Sequence, residues 1–223
     1  MALIAARHKA IMRILHTSDW HIGKKTDSTI DRLPEQREVL SEIAEIAARE
    51  KVDLILVAGD VFDGYTPSAE AERVFFDAVS KMAESSAVAL IPGNHDDATR
   101  LCASSPFGER SGVYFFGEAS EENSALFRTK TANSARKGAW AAEKGEGYAI
   151  FENAAGERVY LAALPYPTEA RLKERASDIP YTDRVAGWLN DCLAANTEGL
   201  PAVLMTHVFT VGGLTTEGER EIS

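Results

Sequence analysis

Ala87-Val88-Ala89-Leu90-Ile91-Pro92-Gly93-Asn94-His95-Asp96 joins an unbroken apolar run to three polar side chains of different chemistry. Five apolar residues closed by a proline and a glycine read as a buried strand that stops abruptly. An amide, an imidazole and a carboxylate then follow in fixed order, at the strand end where α/β sheets carry their chemistry. The same form recurs in both directions along the chain. Upstream, Leu54–Ala58 runs into Gly59-Asp60-Val61-Phe62-Asp63 and Ile14–Thr17 into Ser18-Asp19-Trp20-His21; downstream, Ala202–Thr206 runs into His207.

Between the first three runs the apolar period changes from continuous to helical. Val39, Leu40, Ile43, Ile46 and Ala47 recur at spacings of three and four behind Pro34, and Val74, Phe75, Ala78, Val79 and Met82 do so behind Pro67. This predicts helices over about 35–49 and 68–84 and a β-α-β-α-β order. Near-continuous apolar strands alternating with helices imply a parallel sheet covered on both faces and joined by right-handed crossovers. After Pro106 shorter strands are expected at 113–116, 126–129, Tyr148–Glu152 and 159–163, with a turn at Asn153-Ala154-Ala155-Gly156, so the second sheet should be more antiparallel. A helix over 181–195 precedes the last run. The fold class is α/β, with two mixed sheets flanked by helices.

The 223 residues are 45% hydrophobic and 26% charged, which suits one folded α/β domain and excludes disordered and fibrous chains. Lys and Arg number 24 against 34 Asp and Glu, a net charge of −10, so general electrostatics would not coat this chain with nucleic acid or anionic lipid. A phosphate-bearing substrate must be met locally. Cys102 and Cys192 form no C-x-x-C pattern, which points away from a disulfide framework or thiolate zinc site and toward a reducing cytoplasm. No run approaches the roughly 18 apolar residues of a membrane span, so no membrane association is expected. Residues 1–11 read as an N-terminal extension ahead of a domain over 12–223.

Carboxylate, imidazole and amide oxygen without thiolate suit divalent ions such as Mn²⁺, Fe²⁺ or Zn²⁺. Asp19 and Asp60 lie 41 positions apart and Asp60 and Asn94 lie 34 apart, and adjacent parallel strands can bring them into one crevice. Asp60 would be the shared carboxylate of a binuclear site, the arrangement that serves phosphoester hydrolysis. Taken singly, each element has a plainer reading: Asp19-x-His21 as a chance pair, Gly59-Asp60 as a turn, His207 as a hydrogen-bonded strand-end histidine, His95 as a capping residue. His16 reads as a packed strand residue, and Trp20 as packing beneath the site.

In this order Asp19-x-His21, Gly59-Asp60, Gly93-Asn94-His95-Asp96 and His207 resemble the motifs of calcineurin-like metallophosphoesterases. More narrowly, Leu15-His16-Thr17-Ser18-Asp19-Trp20-His21-Ile22-Gly23, Pro67-Ser68-Ala69, Ala163-Leu164-Pro165-Tyr166 and His207-Val208-Phe209 are similar to segments of the SbcD-type nuclease subunits of bacterial SbcCD complexes. The similarity runs from Met12 to Ser223 and is weakest over 118–148. It implies a metallophosphoesterase α/β sandwich and a Mn²⁺-dependent DNA nuclease, an exonuclease on double-stranded ends and an endonuclease on single strands or hairpins. It also implies an SbcC-like ATPase partner in double-strand break repair and recombination, and a homodimer. Two Mn²⁺ ions would be held by Asp19 and His21, by Asp60 as the bridge, and by Asn94 and His207. His95 would be the catalytic histidine, with Asp96 orienting its ring. The family completes both metal spheres with a Gly-His-x-His motif, and no histidine follows His207, so the domain is expected to lack its C-terminal end, to bind metal weakly and to leave sheet edges exposed.

Residues 128–144 hold Arg128, Lys130, Arg136, Lys137 and Lys144 against Glu143, a local +4 in a chain otherwise at −14. Arg128, Lys130, Arg136 and Lys137 are candidate DNA contacts, as are Lys24 and Lys25 just past His21; a solvated loop is the plainer reading. Two other functions remain open: a phosphoesterase for small nucleotides or phosphoproteins, and a catalytically inert interaction module.

Overall fold

The computed structural model describes residues 12–26, 30–117, 138–145, 147–168 and 179–208. The expected strands and helices of the first ninety residues are present: β1 (Ile14–Thr17), α1 (Leu33–Arg49), β4 (Leu54–Ala58), α2 (Ala69–Ala83) and β5 (Ala87–Ile91). Two-residue strands β2 (Lys25–Thr26) and β3 (Ile30–Asp31) pair with each other ahead of α1. Beyond β5 come α3 (Ala98–Cys102), α4 (Ser105–Ser111), β6 (Val113–Phe115), β7 (Trp140–Gly145), β8 (Tyr148–Glu152), β9 (Arg158–Leu164), α5 (Tyr181–Ala194) and β10 (Ala202–Thr206). The strand expected at 126–129 and the extension over 1–11 lie outside the described residues.

The α/β sandwich is as expected, but only one of its two sheets is mixed: the first, in the order β1-β4-β5-β6, is parallel throughout, and the second, β10-β9-β8-β7, has β10 and β9 parallel and the rest antiparallel. Four strands taken in chain order by crossovers of one hand place their helices on one face. The strand residues show this. Ile55, Val57, Val88 and Leu90 pack with Leu40, Ala44, Val74, Phe75 and Met82 of α1 and α2. Their alternate neighbours Leu54, Leu56, Ala58, Ala87, Ala89 and Ile91 pack instead on Phe151, Leu161, Ala163 and Met205 of the second sheet. The other side of that sheet, with Tyr160, Ala162 and Leu164, is covered by Trp188 and Cys192 of α5. The result is a four-layer sandwich, helices, sheet, sheet, helix. The apolar runs required cover on both faces, and a second sheet supplies it on one of them.

Local signals explain the element ends. Ser68 caps α2 by accepting from the Ala71 amide at 3.2 Å, and Glu70 and Glu72 sit in the first turn, where negative charge is favoured. Burial of Phe75 at 1% exposure contributes on the order of 2–3 kcal/mol to holding this helix on the sheet.

His16 corrects the sequence expectation: it is exposed. β1 is an edge strand, and β10, which edges the second sheet, packs over β4, so the face of β1 carrying Ile14 and His16 is left exposed. Lys144 belongs to strand β7 and is engaged within the fold, pairing with Glu109 at 2.5 Å and donating to the Phe115 carbonyl at 3.1 Å. Cys192 is buried and Cys102 half-buried, and the two are not joined in a disulfide. No helix among the described residues is long and apolar enough to cross a membrane.

Candidate metal centre

The segments that leave β1 and β4 continue side by side beyond the sheet. The Asp19 amide donates to the Gly59 carbonyl at 3.0 Å, His21 to Asp60 at 3.0 Å, Ile22 to Val61 at 2.9 Å, and Asp63 back to Ile22 at 3.2 Å. This fixes Asp19 and His21 opposite Asp60. The pairing demands unusual backbone: Asp19, His21 and Asp60 have φ of 56°, 41° and 50°, three of the four non-glycine residues with positive φ among those described. Such strain collects at functional sites, where surrounding structure enforces it. Gln36 in the first turn of α1 helps enforce it, donating to the His21 carbonyl at 2.7 Å and accepting from the Gly23 amide at 3.0 Å. Gln36 carried no sequence signal, because a glutamine on a helix is ordinarily solvated.

Glycine is required at two points. A Cβ on Gly93 would stand 2.0 Å from Asp60 Oδ1, and one on Gly59, at φ +90°, would stand 2.6 Å from His207 Nδ1. The β4 and β5 loops therefore touch backbone to side chain, which brings Asp60 against the loop that carries Asn94 and His95.

Asp60 is 3% exposed, and its two oxygens face different groups. Oδ1 accepts from the His95 amide at 2.9 Å, whereas Oδ2 lies 3.5 Å from His21 Nε2 and 3.6 Å from His207 Nε2. His207 arrives from β10, in the second sheet. Its Nδ1 faces the Ala58 carbonyl at 2.9 Å, and because a carbonyl only accepts, Nδ1 carries the proton in the neutral ring. Nε2 then presents a lone pair, yet it faces Asn94 Oδ1 at 3.0 Å and the Asp60 carboxylate. With the ring neutral, three acceptors converge there. A cation resolves that arrangement, and a buried carboxylate beside two imidazoles calls for the same.

Asp19, His21 and Asp60 also offer ligand atoms all within 4.8 Å of one another. Asp60 Oδ2 is thus the atom shared by an Asp19–His21 half and an Asn94–His207 half. A second group, His21, Asp63 and His95, is gathered as closely. Here the buried His21 Nδ1 has no hydrogen-bond partner and lies 3.4 Å from Asp63 Oδ1. His95 Nδ1 faces the Asp63 carbonyl at 3.1 Å, so it too carries the proton, leaving Nε2 for chemistry. The His21 and His95 rings meet edge to face at 4.8 Å.

Asp96 departs from the expectation that it orients His95. Its carboxylate accepts from the amides of Val61 at 3.0 Å, Phe62 at 2.8 Å and Gly93 at 2.8 Å, and it is 4% exposed. Burial pushes this carboxyl above the usual aspartate range, while the three amides pull the other way. Asp96 therefore ties the β4 loop to the β5 loop, and the Asp63 carbonyl faces the imidazole in its place. Trp20 packs against the core as expected and donates to Thr17 Oγ1 at 2.9 Å. Lys24 and Lys25 are exposed just past His21. Arg128, Lys130, Arg136 and Lys137 lie outside the described residues.

A two-sheet sandwich with carboxylate, imidazole and amide ligands gathered at strand ends is a metallophosphoesterase arrangement, and the calcineurin-like phosphoesterase family profile matches residues 12–222. The chain belongs to that family, which uses divalent metal ions. It is 31% identical over 221 residues to the SbcD subunit of the SbcCD nuclease of Bacillus subtilis, covering 95% of this chain and 50% of that protein. The SbcD subunits of Rhodobacter capsulatus and Staphylococcus epidermidis are 32% and 25% identical, each over 95% of this chain and 51% and 50% of theirs. The chain spans about half the length of these curated relatives.

Proposed function

We propose that this chain is the phosphodiester-cleaving part of a Mn²⁺-dependent DNA nuclease of the SbcD kind, working with an SbcC-like ATPase on DNA ends and hairpins in double-strand break repair and recombination. The convergence of lone pairs around Asp60 Oδ2 carries this reading, and the similarity to three nuclease subunits supports a nucleic-acid phosphodiester as the substrate. Two divalent ions would supply Lewis acidity toward a phosphate and a hydroxide near neutral pH. Asp19 and His21 would hold one, Asn94 and His207 the other, with Asp60 between them. His95, its Nδ1 proton directed to the Asp63 carbonyl, offers Nε2 to stabilise charge on the transferring phosphate or to protonate the leaving oxygen. Lys24 and Lys25, exposed beside the site, and the basic residues Arg128, Lys130, Arg136 and Lys137 would meet the strand backbone. The chain's two cysteines, in no C-x-x-C pattern, are those of a protein working in a reducing cytoplasm, the compartment proposed for it.

Calorimetric titration with Mn²⁺, beside Asp60→Ala, tests the site. The expected result is two ions per chain, lost in the variant, with metal-dependent cleavage of DNA by the unaltered chain. Binding no greater than that of Asp60→Ala would overturn the metal reading. Cleavage of bis-p-nitrophenyl phosphate but not of DNA would replace the nuclease with a small-substrate phosphoesterase.

A further inference from the structure

Tyr65 lies five positions beyond Asp60, in the segment that joins β4 to α2, and it enters none of the three apolar clusters. It is 55% exposed. Its hydroxyl donates to the backbone carbonyl of Asn94 at 3.2 Å. The usual arrangement of a surface tyrosine is thereby inverted: the polar tip is tied down and the ring is left in water. The bond fixes that ring to the loop carrying Asn94 and His95, so an aromatic plane stands at the rim of the site. The preceding Gly64 has open space where a side chain would be, so the loop is not packed from that side. The Asp19 side chain, 56% exposed, leaves the neighbouring edge open as well.

We infer, on the basis of the nuclease function proposed above, that Tyr65 is a stacking platform for the nucleobase next to the phosphate being cleaved. Any base offers a π face, so the contact confers affinity without sequence preference. It also selects for an unstacked base, because a base inside a duplex has both faces covered. The substrate favoured at this rim is a single strand or a frayed end. The hydroxyl bond determines where the ring sits, and the ring makes the contact.

Equilibrium binding of labelled oligothymidylate, and of an equally long sugar-phosphate strand bearing no bases, is measured by fluorescence anisotropy with Ca²⁺ in place of the ion that supports cleavage. The full chain is expected to prefer the base-bearing strand, and Tyr65→Ala to weaken that binding on the order of tenfold while leaving the base-free strand unaffected. Tyr65→Phe is expected to retain most of the preference. Equal binding of both strands by the unaltered chain, or unchanged binding by Tyr65→Ala, would refute the stacking contact alone. If Tyr65→Phe lost as much as Tyr65→Ala on both strands, the hydroxyl would be positioning Asn94 instead, and stacking would fall. Failure of the unaltered chain to bind either strand would overturn the nuclease reading and this inference with it.

Discussion

Asp96→Ala lowers the unfolding free energy by about 3–5 kcal/mol, the largest stability loss expected from a substitution at the site. The carboxylate is nearly inaccessible and accepts from three amides, those of Val61, Phe62 and Gly93. An alanine leaves all three donors buried, and each unsatisfied donor costs about 1–3 kcal/mol, less whatever a water in the vacated space recovers. For a chain of this size the melting temperature should fall by about 10 °C. Asp96→Asn should fall between, since its one oxygen can still accept while its NH₂ group faces amides. Thermal and urea unfolding check both variants. An Asp96→Ala protein as stable as the parent, with only its activity reduced, would return Asp96 to the role of orienting His95.

His95→Ala shows the converse pattern. Its backbone amide, which holds Asp60 Oδ1, is retained, and none of the three apolar clusters includes its ring. Stability and Mn²⁺ stoichiometry should therefore stay near the parent values while phosphodiester hydrolysis falls by about 10²–10⁴, the usual contribution of a positioned acid or base. Single-turnover hydrolysis at saturating Mn²⁺ measures this directly. A loss of bound metal in step with activity would make His95 a ligand, the role its grouping with His21 and Asp63 would permit.

Much of this was legible from residue order. β1, β4, β5, β8 and β10 fall at the expected bounds because each is a short apolar run closed by polar or turn residues. β7 was not legible: Trp140–Gly145 mixes an aromatic, small residues and two charges, and it holds its place by pairing with β8. The helix α4, with Pro106 near its start and Gly108 inside, also lacks a clear period and is fixed by packing on β6. At the site, residue types at strand ends marked Asp19, His21, Asp60, Asn94 and His207 as candidates, and these side chains lie around Asp60. The partners of Asp96 were not legible, since an aspartate beside a histidine invites a side-chain pairing, and backbone amides leave no mark in sequence. Gln36 and Tyr65 escaped for the same reason: each acts through a main-chain carbonyl or amide.

The two halves of the centre differ in what holds them. Asp19, His21 and Asp60 are pinned within one sheet by backbone bonds that prolong the strands, whereas His207 reaches Asn94 from the other layer. Any sliding of one sheet over the other leaves the first half whole and separates the second. The centre is in this sense a gauge of interlayer registry, one half set within a single sheet and the other spanning two.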